Sequence, residues 1–200
     1  MLPFSKFSQA NTRAIKRIGP HNFDLLSIII CGMLGDWWGN SIKGLMLPLR
    51  SATHTHSLQR ERNVRFQIEQ SISNYGYIHY LSELLFKLGY CVNPIPKKVA
   101  KVESKKSEDK RINPNVIRYN FRLTLFTFTS LFWIYTGFYQ VVDGILTKRV
   151  PNWIADYITH IGLAHWIMQD GSRQPGQGIY LATNNFTYTK QKPDRLFIFI

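Results

Sequence analysis

The sequence predicts an α+β fold built by internal duplication, on three observations. Two apolar helical runs each end in one carboxylate, ICGMLGD at Asp36 and HWIMQDG at Asp170, and matched runs followed by similar sequence are the mark of a repeated supersecondary unit. Two segments between them alternate apolar and polar residues with the period of a half-buried strand. The 200 residues carry Lys+Arg 25 against Asp+Glu 12, a net charge of +13, which points to a polyanionic partner. Hydrophobic residues at 44% exclude a wholly disordered chain.

The first 23 residues hold Lys6, Arg13, Lys16 and Arg17 and no acid before Asp24. That pattern fits an organelle transit peptide and a basic arm lying on a phosphate backbone equally well. From Asp24 to Asp36 the apolar run reads as a helix with an acidic start, and Gly39 and Gly44 are expected to break it. The following stretch contains His54 and His56, but no third ligand stands near them, so it reads as a basic loop rather than a metal site.

Segment Arg62 to Ser71 is a strand with Val64, Phe66 and Ile68 on one face and Arg65, Gln67 and Glu69 on the other. Tyr77 to Leu88 has helical spacing and stops at Gly89. Residues 94–114 are dense in Lys and Arg and read as an exposed loop or a ragged hairpin edge. Alternation returns from Val116 to Phe128, with Ile117, Tyr119, Phe121 and Leu123 set against Arg118, Asn120, Arg122 and Thr124. The apolar stretch Leu123–Tyr139 is too short for a membrane helix, which wants roughly 20 apolar residues. It reads as a strand running into a buried helix over Leu131–Val142. A turn at Lys148–Pro151, a short helix at Trp153–Tyr157, a helix ending at Gly171 and a strand at Gly178–Thr183 complete the chain.

Cys31 and Cys91 are the only cysteines, so neither a disulfide framework nor a CxxC site is expected and the chain reads as intracellular. Small residues Cys31, Gly32 and Gly35 in the first run, and Gly162 and Ala164 in the second, would let the two helices approach closely. Each aspartate alone reads as a surface carboxylate at a helix end. As a converging pair they are costly unless a hard divalent cation lies between them.

ICGMLGDWW and LAHWIMQDGSRQ resemble the signature helices of the LAGLIDADG homing endonucleases. VRFQIEQS, YIHYLSELLFKLGY, YNFRLTLFTF, the Lys-Arg-Val-Pro turn and GIYLATNNFT also resemble that family's single-chain, organelle intron-encoded branch, in the same order. The resemblance implies an αββαββα repeat used twice about a pseudo-twofold axis, with saddle-shaped antiparallel sheets on the DNA major groove. It places the repeats at residues 25–158 and 159–200, after a basic arm at 1–24. It makes Asp36 and Asp170 the catalytic aspartates, and Asp36, Asp170, Gly35 and Gln169 the residues that hold Mg²⁺ or another divalent cation. It assigns Arg65, Gln67, Arg118, Asn120, Arg122 and Arg173 to DNA.

The expected partner is double-stranded DNA, with the chain's own intron RNA as the alternative, no membrane, and a monomeric state. The expected compartment is the mitochondrion, with the plastid second. The chain departs from the family pattern at Trp37 and Trp38, which follow the first aspartate, and after Thr183, where too little sequence remains for a complete second repeat. The function implied is site-specific DNA cleavage in intron homing. A group I intron maturase and a non-cleaving nucleic-acid-binding protein are the alternatives, while no nucleophile elbow supports a Ser/His hydrolase.

Overall fold

The computed structural model describes residues 12–48, 58–101, 118–174, 176 and 178–181. His54, His56 and the sequence after Leu181 lie outside them. The first part of the chain forms α1 (Phe23–Leu34), β1 (Trp37–Pro48), β2 (Leu58–Ser71), α2 (Tyr75–Lys87), β3 (Lys97–Lys101) and β4 (Arg118–Phe128). Then come α3 (Phe132–Phe138), β5 (Tyr139–Val142), β6 (Ile145–Lys148), α4 (His160–Asp170), β7 (Gly171–Gln174) and β8 (Gly178–Leu181), with short 3-10 turns at Ala14–Lys16, Ile72–Asn74 and Ile154–Tyr157. The fold is therefore α+β, with antiparallel sheets. It divides into two compact units, Met1–Asn22 with Asp36–Phe132, and Phe23–Gly35 with Trp133–Ile200. Among the described residues no helix is long and apolar enough to cross a membrane.

The first unit is a four-stranded sheet in the order β1-β2-β4-β3. Val64, Phe66 and Ile68 are fully buried, as their alternation predicts, and α2 covers them with Ile78, Leu81 and Leu85. The helix stops where Gly89 adopts φ 81°. There Tyr90 N–H donates to the Leu85 carbonyl at 2.8 Å, a closure that favours glycine at the left-handed position. Tyr90 then stacks on Phe128 with centroids 5.3 Å apart.

β4 carries one residue more than its partner. The register runs Val64↔Phe128 and Arg65↔Thr127, then Gln67↔Thr124, so Leu125 and Phe126 together oppose Phe66. A bulge of this kind rotates the strand locally. It buries Leu123, Leu125, Phe126 and Phe128 while keeping Thr124 and Thr127 beside the polar side chains of β2.

In the second unit α1 and α4 pack side by side. Ile28, Ile29, Ile30, Cys31 and Met33 are buried, as in a helix apolar all round. The helices lie close at Gly162, where a Cβ would lie 2.1 Å from Ser27 Oγ and 2.7 Å from Cys31 Sγ. Ser27 Oγ donates to the Tyr157 carbonyl at 2.6 Å and lies 2.9 Å from Thr159 Oγ1. Thr159 in turn caps α4 by accepting from Gly162 N–H, the usual task of a hydroxyl at that position. Burial pushes the Cys31 thiol up to about 11.

Two expectations are corrected. Gly39 and Gly44 do not break a helix: α1 has already ended at Leu34, and both glycines lie inside β1, Gly39 opposite Phe66. Leu131–Val142 is not one buried helix either. α3 stops at Phe138 and a hairpin follows, with Val141 69% exposed. Its turn residues Asp143 and Gly144 have φ 50° and 77°, and positive φ at both positions is what a right-twisted two-residue hairpin requires.

His165 on α4 is 3% exposed, and burial holds its pKa down at about 4 against an ordinary 6.5. Between these values the unfolded chain binds a proton that the folded chain refuses, so stability is complete above pH 6.5 and falls as pH drops toward 4. Urea unfolding at about pH 7 and about pH 5 is expected to show a lower midpoint in acid, with a smaller drop in His165→Gln.

Candidate nucleic-acid interface and helix-end aspartates

The sheet face opposite the core is polar and hydrogen-bonded across strands. Asn40 Nδ2 donates to Gln67 Oε1 and Gln67 Nε2 to Thr124 Oγ1, both at 2.9 Å. Arg65 is exposed and donates its Nε–H to Thr127 Oγ1 at 3.1 Å. Glu69 accepts from Asn120 Nδ2 at 2.8 Å and from Arg122 Nε and Nη2 at 2.8 and 2.7 Å. Arg122 also lies 5.9 Å from the Trp38 ring, close enough for a weak cation–π contact.

The six candidate DNA-binding residues are thus unequal. Arg65 and Arg118 project as exposed cations from this sheet. Gln67, Asn120 and Arg122 stand on the same face but are braced by neighbours, and Glu69 offsets the Arg122 charge. Arg173 is exposed on β7 of the second unit. Glu69 is the partner that sequence patterning leaves unassigned, because cross-strand register, not strand periodicity, puts it opposite Arg122.

Asp36 belongs to the first unit, one residue before β1. Gln70 Nε2 donates to its Oδ2, and Asn74 Nδ2 steadies the Gln70 amide at 2.9 Å. Gln70 was not a sequence candidate. The available signal was a polar residue in the core-facing row that starts Val64, Phe66, Ile68, and Gln70 is indeed 4% exposed.

Asp170 ends α4 in the second unit and is packed against Gly35. A Cβ on Gly35 would lie 2.8 Å from Gln169 Oε1 and 3.2 Å from Gln169 Cβ, so a side chain there would push the Gln169 amide aside, while Asp170 Oδ2 at 3.5 Å is in ordinary contact. Burial pushes the Asp170 carboxyl above its ordinary range, and the Lys148 charge works in the other direction. Gly35, Gln169 and Asp170 are therefore brought together, and Asp36 follows Gly35 in the chain. Among the described residues no three His, Cys, Asp or Glu side chains cluster as a metal site.

Residues 26–192 match the family described as LAGLIDADG DNA endonuclease. The cytochrome b mRNA maturase bI2 of Saccharomyces cerevisiae is 30% identical over 173 residues, covering 86% of this chain and 35% of that protein. The intron-encoded endonuclease ai4 of Dictyostelium discoideum is 39% identical over 105 residues, covering 52% of this chain and 60% of that protein. The chain thus spans less than two thirds of the length of either relative. A solved structure of the homing endonuclease I-WcaI bound to its DNA recognition sequence shares the fold, with a TM-score of 0.54 at 16% identity, covering 90% of this chain and 65% of that one.

Proposed function

Because the chain belongs to the LAGLIDADG DNA endonuclease family, we propose that it is an intron-encoded homing endonuclease that cuts both strands of a specific DNA duplex. One observation carries the cleavage reading: the close approach of Gly35 to Gln169 and Asp170 at the end of a tightly packed helix pair. The residue types fit a hard divalent cation such as Mg²⁺: within the second unit the Asp170 carboxylate and the Gln169 amide oxygen lie beside Gly35, and the Asp36 carboxylate is an oxygen ligand of the same kind. When bound, such a cation supplies a Lewis acid for a phosphoryl oxygen and a lowered pKa for water.

The chain's own residues do the rest. Gln70 orients Asp36, Gly35 leaves room at the end of α4, and the polar face of β2 and β4 meets the duplex through Arg65, Arg118 and Arg122, with Arg173 adding charge from β7. The proposed state is a monomer in the mitochondrion, or else in the plastid. The protein is expected to cut the intronless form of its host gene in Mg²⁺ and to lose that activity in EDTA.

A second reading, an RNA maturase that binds its intron, is favoured by the yeast relative, since that match covers 86% of the chain and the relative is named a maturase. Tight binding of the intron RNA with no cutting of any intronless target would decide for it.

DNA affinity should fall about 10³–10⁵-fold between about 50 and 200 mM salt if roughly 6–10 phosphates are contacted. Arg65→Ala is expected to cost about 1–3 kcal/mol and to relax choice at one or two base pairs. Arg122→Ala should weaken binding to every sequence, because it also uncovers the Glu69 carboxylate. Selection from randomised duplexes separates these results, and an unchanged preferred site in Arg65→Ala would remove β2 from the recognition surface.

A further inference from the structure

A cavity of about 570 Å³ opens within the first unit, where the polar side of β4 meets the loop from α2 to β3 and the turn at Ala14–Lys16. Two guanidinium groups converge on one residue of its wall. Arg17 Nη1 donates to the Thr127 carbonyl at 2.8 Å, and Arg65 Nε donates to the Thr127 hydroxyl at 3.1 Å. Arg17 is 4% exposed and lies 4.5 Å from the centre of the Phe126 ring. Burial, and then the charge of Arg65, push its pKa down. Lys97 extends the cationic side, while the Arg122 charge is paired with Glu69 beside it.

The opposite lip is apolar and open to solvent, with Val92 55% and Ile95 65% exposed. Its loop is held in place, because Ser82 Oγ and Cys91 Sγ both donate to the Asn93 carbonyl at 3.3 Å. The phosphates of a regular duplex need only surface cations. A half-open cleft of ligand size with cations on one side and an apolar lip on the other matches a phosphate joined to an unstacked base.

We propose that this cavity takes one unpaired nucleotide of the bound strand, its phosphate toward Arg65 and Lys97 and its base against Val92 and Ile95. The proposal rests on the nucleic-acid reading above and adds an extrahelical nucleotide to it. DNA and RNA both supply this chemistry.

The test is calorimetric titration of the whole chain at low salt with adenosine monophosphate, deoxyadenosine monophosphate, inorganic phosphate and adenosine, with a plain DNA duplex in parallel. Each nucleotide is expected to bind about tenfold more tightly than phosphate or adenosine alone. Lys97→Ala and Val92→Asp, both at exposed positions, should each weaken nucleotide binding about fivefold or more without moving the thermal midpoint. Tighter binding of the ribonucleotide assigns the strand to RNA, tighter binding of the deoxynucleotide assigns it to DNA, and equal binding supports the cavity for either. Phosphate binding as tightly as the nucleotide, or nucleotide binding unmoved by both variants, overturns the proposal. A chain that binds duplex but no nucleotide loses the cavity and keeps the nucleic-acid reading; one that binds neither loses both.

Discussion

Asp170→Asn is expected to lower DNA cleavage by about 10³-fold or more while leaving duplex affinity nearly unchanged. The amide keeps the shape of the carboxylate but not the charge that attracts a divalent cation. Folding should not suffer, because burial already pushes the Asp170 carboxyl above its ordinary range, so a neutral group there relieves a desolvation cost. Asp36→Asn should behave alike, since an asparagine oxygen still accepts the Gln70 amide hydrogen. Single-turnover cleavage, duplex binding and thermal melting should be measured on the same preparations. Cutting at the wild-type rate by either variant sinks the two-aspartate reading, whereas lost cleavage with a lowered melting point would point to a structural role.

Gly162→Val is expected to be the most destabilising substitution in α4, by about 3 kcal/mol or more. Even a single methyl would lie 2.1 Å from Ser27 Oγ and 3.0 Å from the Ser27 carbonyl. The Ser27 hydroxyl cannot simply swing away, because it donates to the Tyr157 carbonyl and accepts the Thr159 N–H. The helices must therefore separate, and the same movement draws Asp170 away from Gly35. Gly76→Ala on α2 is the control: nothing lies within 4 Å of its would-be Cβ, so the gain in helix propensity should hold or raise stability by up to about 1 kcal/mol. Equal urea midpoints for Gly162→Val and the wild type would refute the tight seam.

Much of the fold was legible because burial imposes a period on the sequence. Val64, Phe66 and Ile68 had to alternate with Arg65, Gln67 and Glu69 once one face was dry. Gly89 could announce the end of α2 because the left-handed position favours glycine. The hairpin of β5 and β6 was misread since Val141, Val142, Ile145 and Leu146 are apolar yet exposed, and periodicity assumes that apolar residues are buried. The Asp143-Gly144 pair was the better signal.

At the site, the residues that resemble a known signature could be found, and small residues correctly forecast the close contact of α1 with α4. The brace from Gln70 to Asp36 and the pairing of Glu69 with Arg122 depend on which residues oppose or neighbour one another across strands. That register is set by tertiary structure, as is the bulge that puts Leu125 and Phe126 together against Phe66.

The second unit is discontinuous: α1 belongs with the chain from Trp133 onward, and the sheet lies between them in sequence. On a ribosome adding roughly 5–20 residues per second, α1 waits on the order of 10 s before α4 has been made. Throughout that interval Ile28, Ile29, Ile30 and Met33 lack the helix that will bury them. An apolar helix made early thus stays uncovered until the last part of its own unit emerges, which exposes the nascent chain to misassembly.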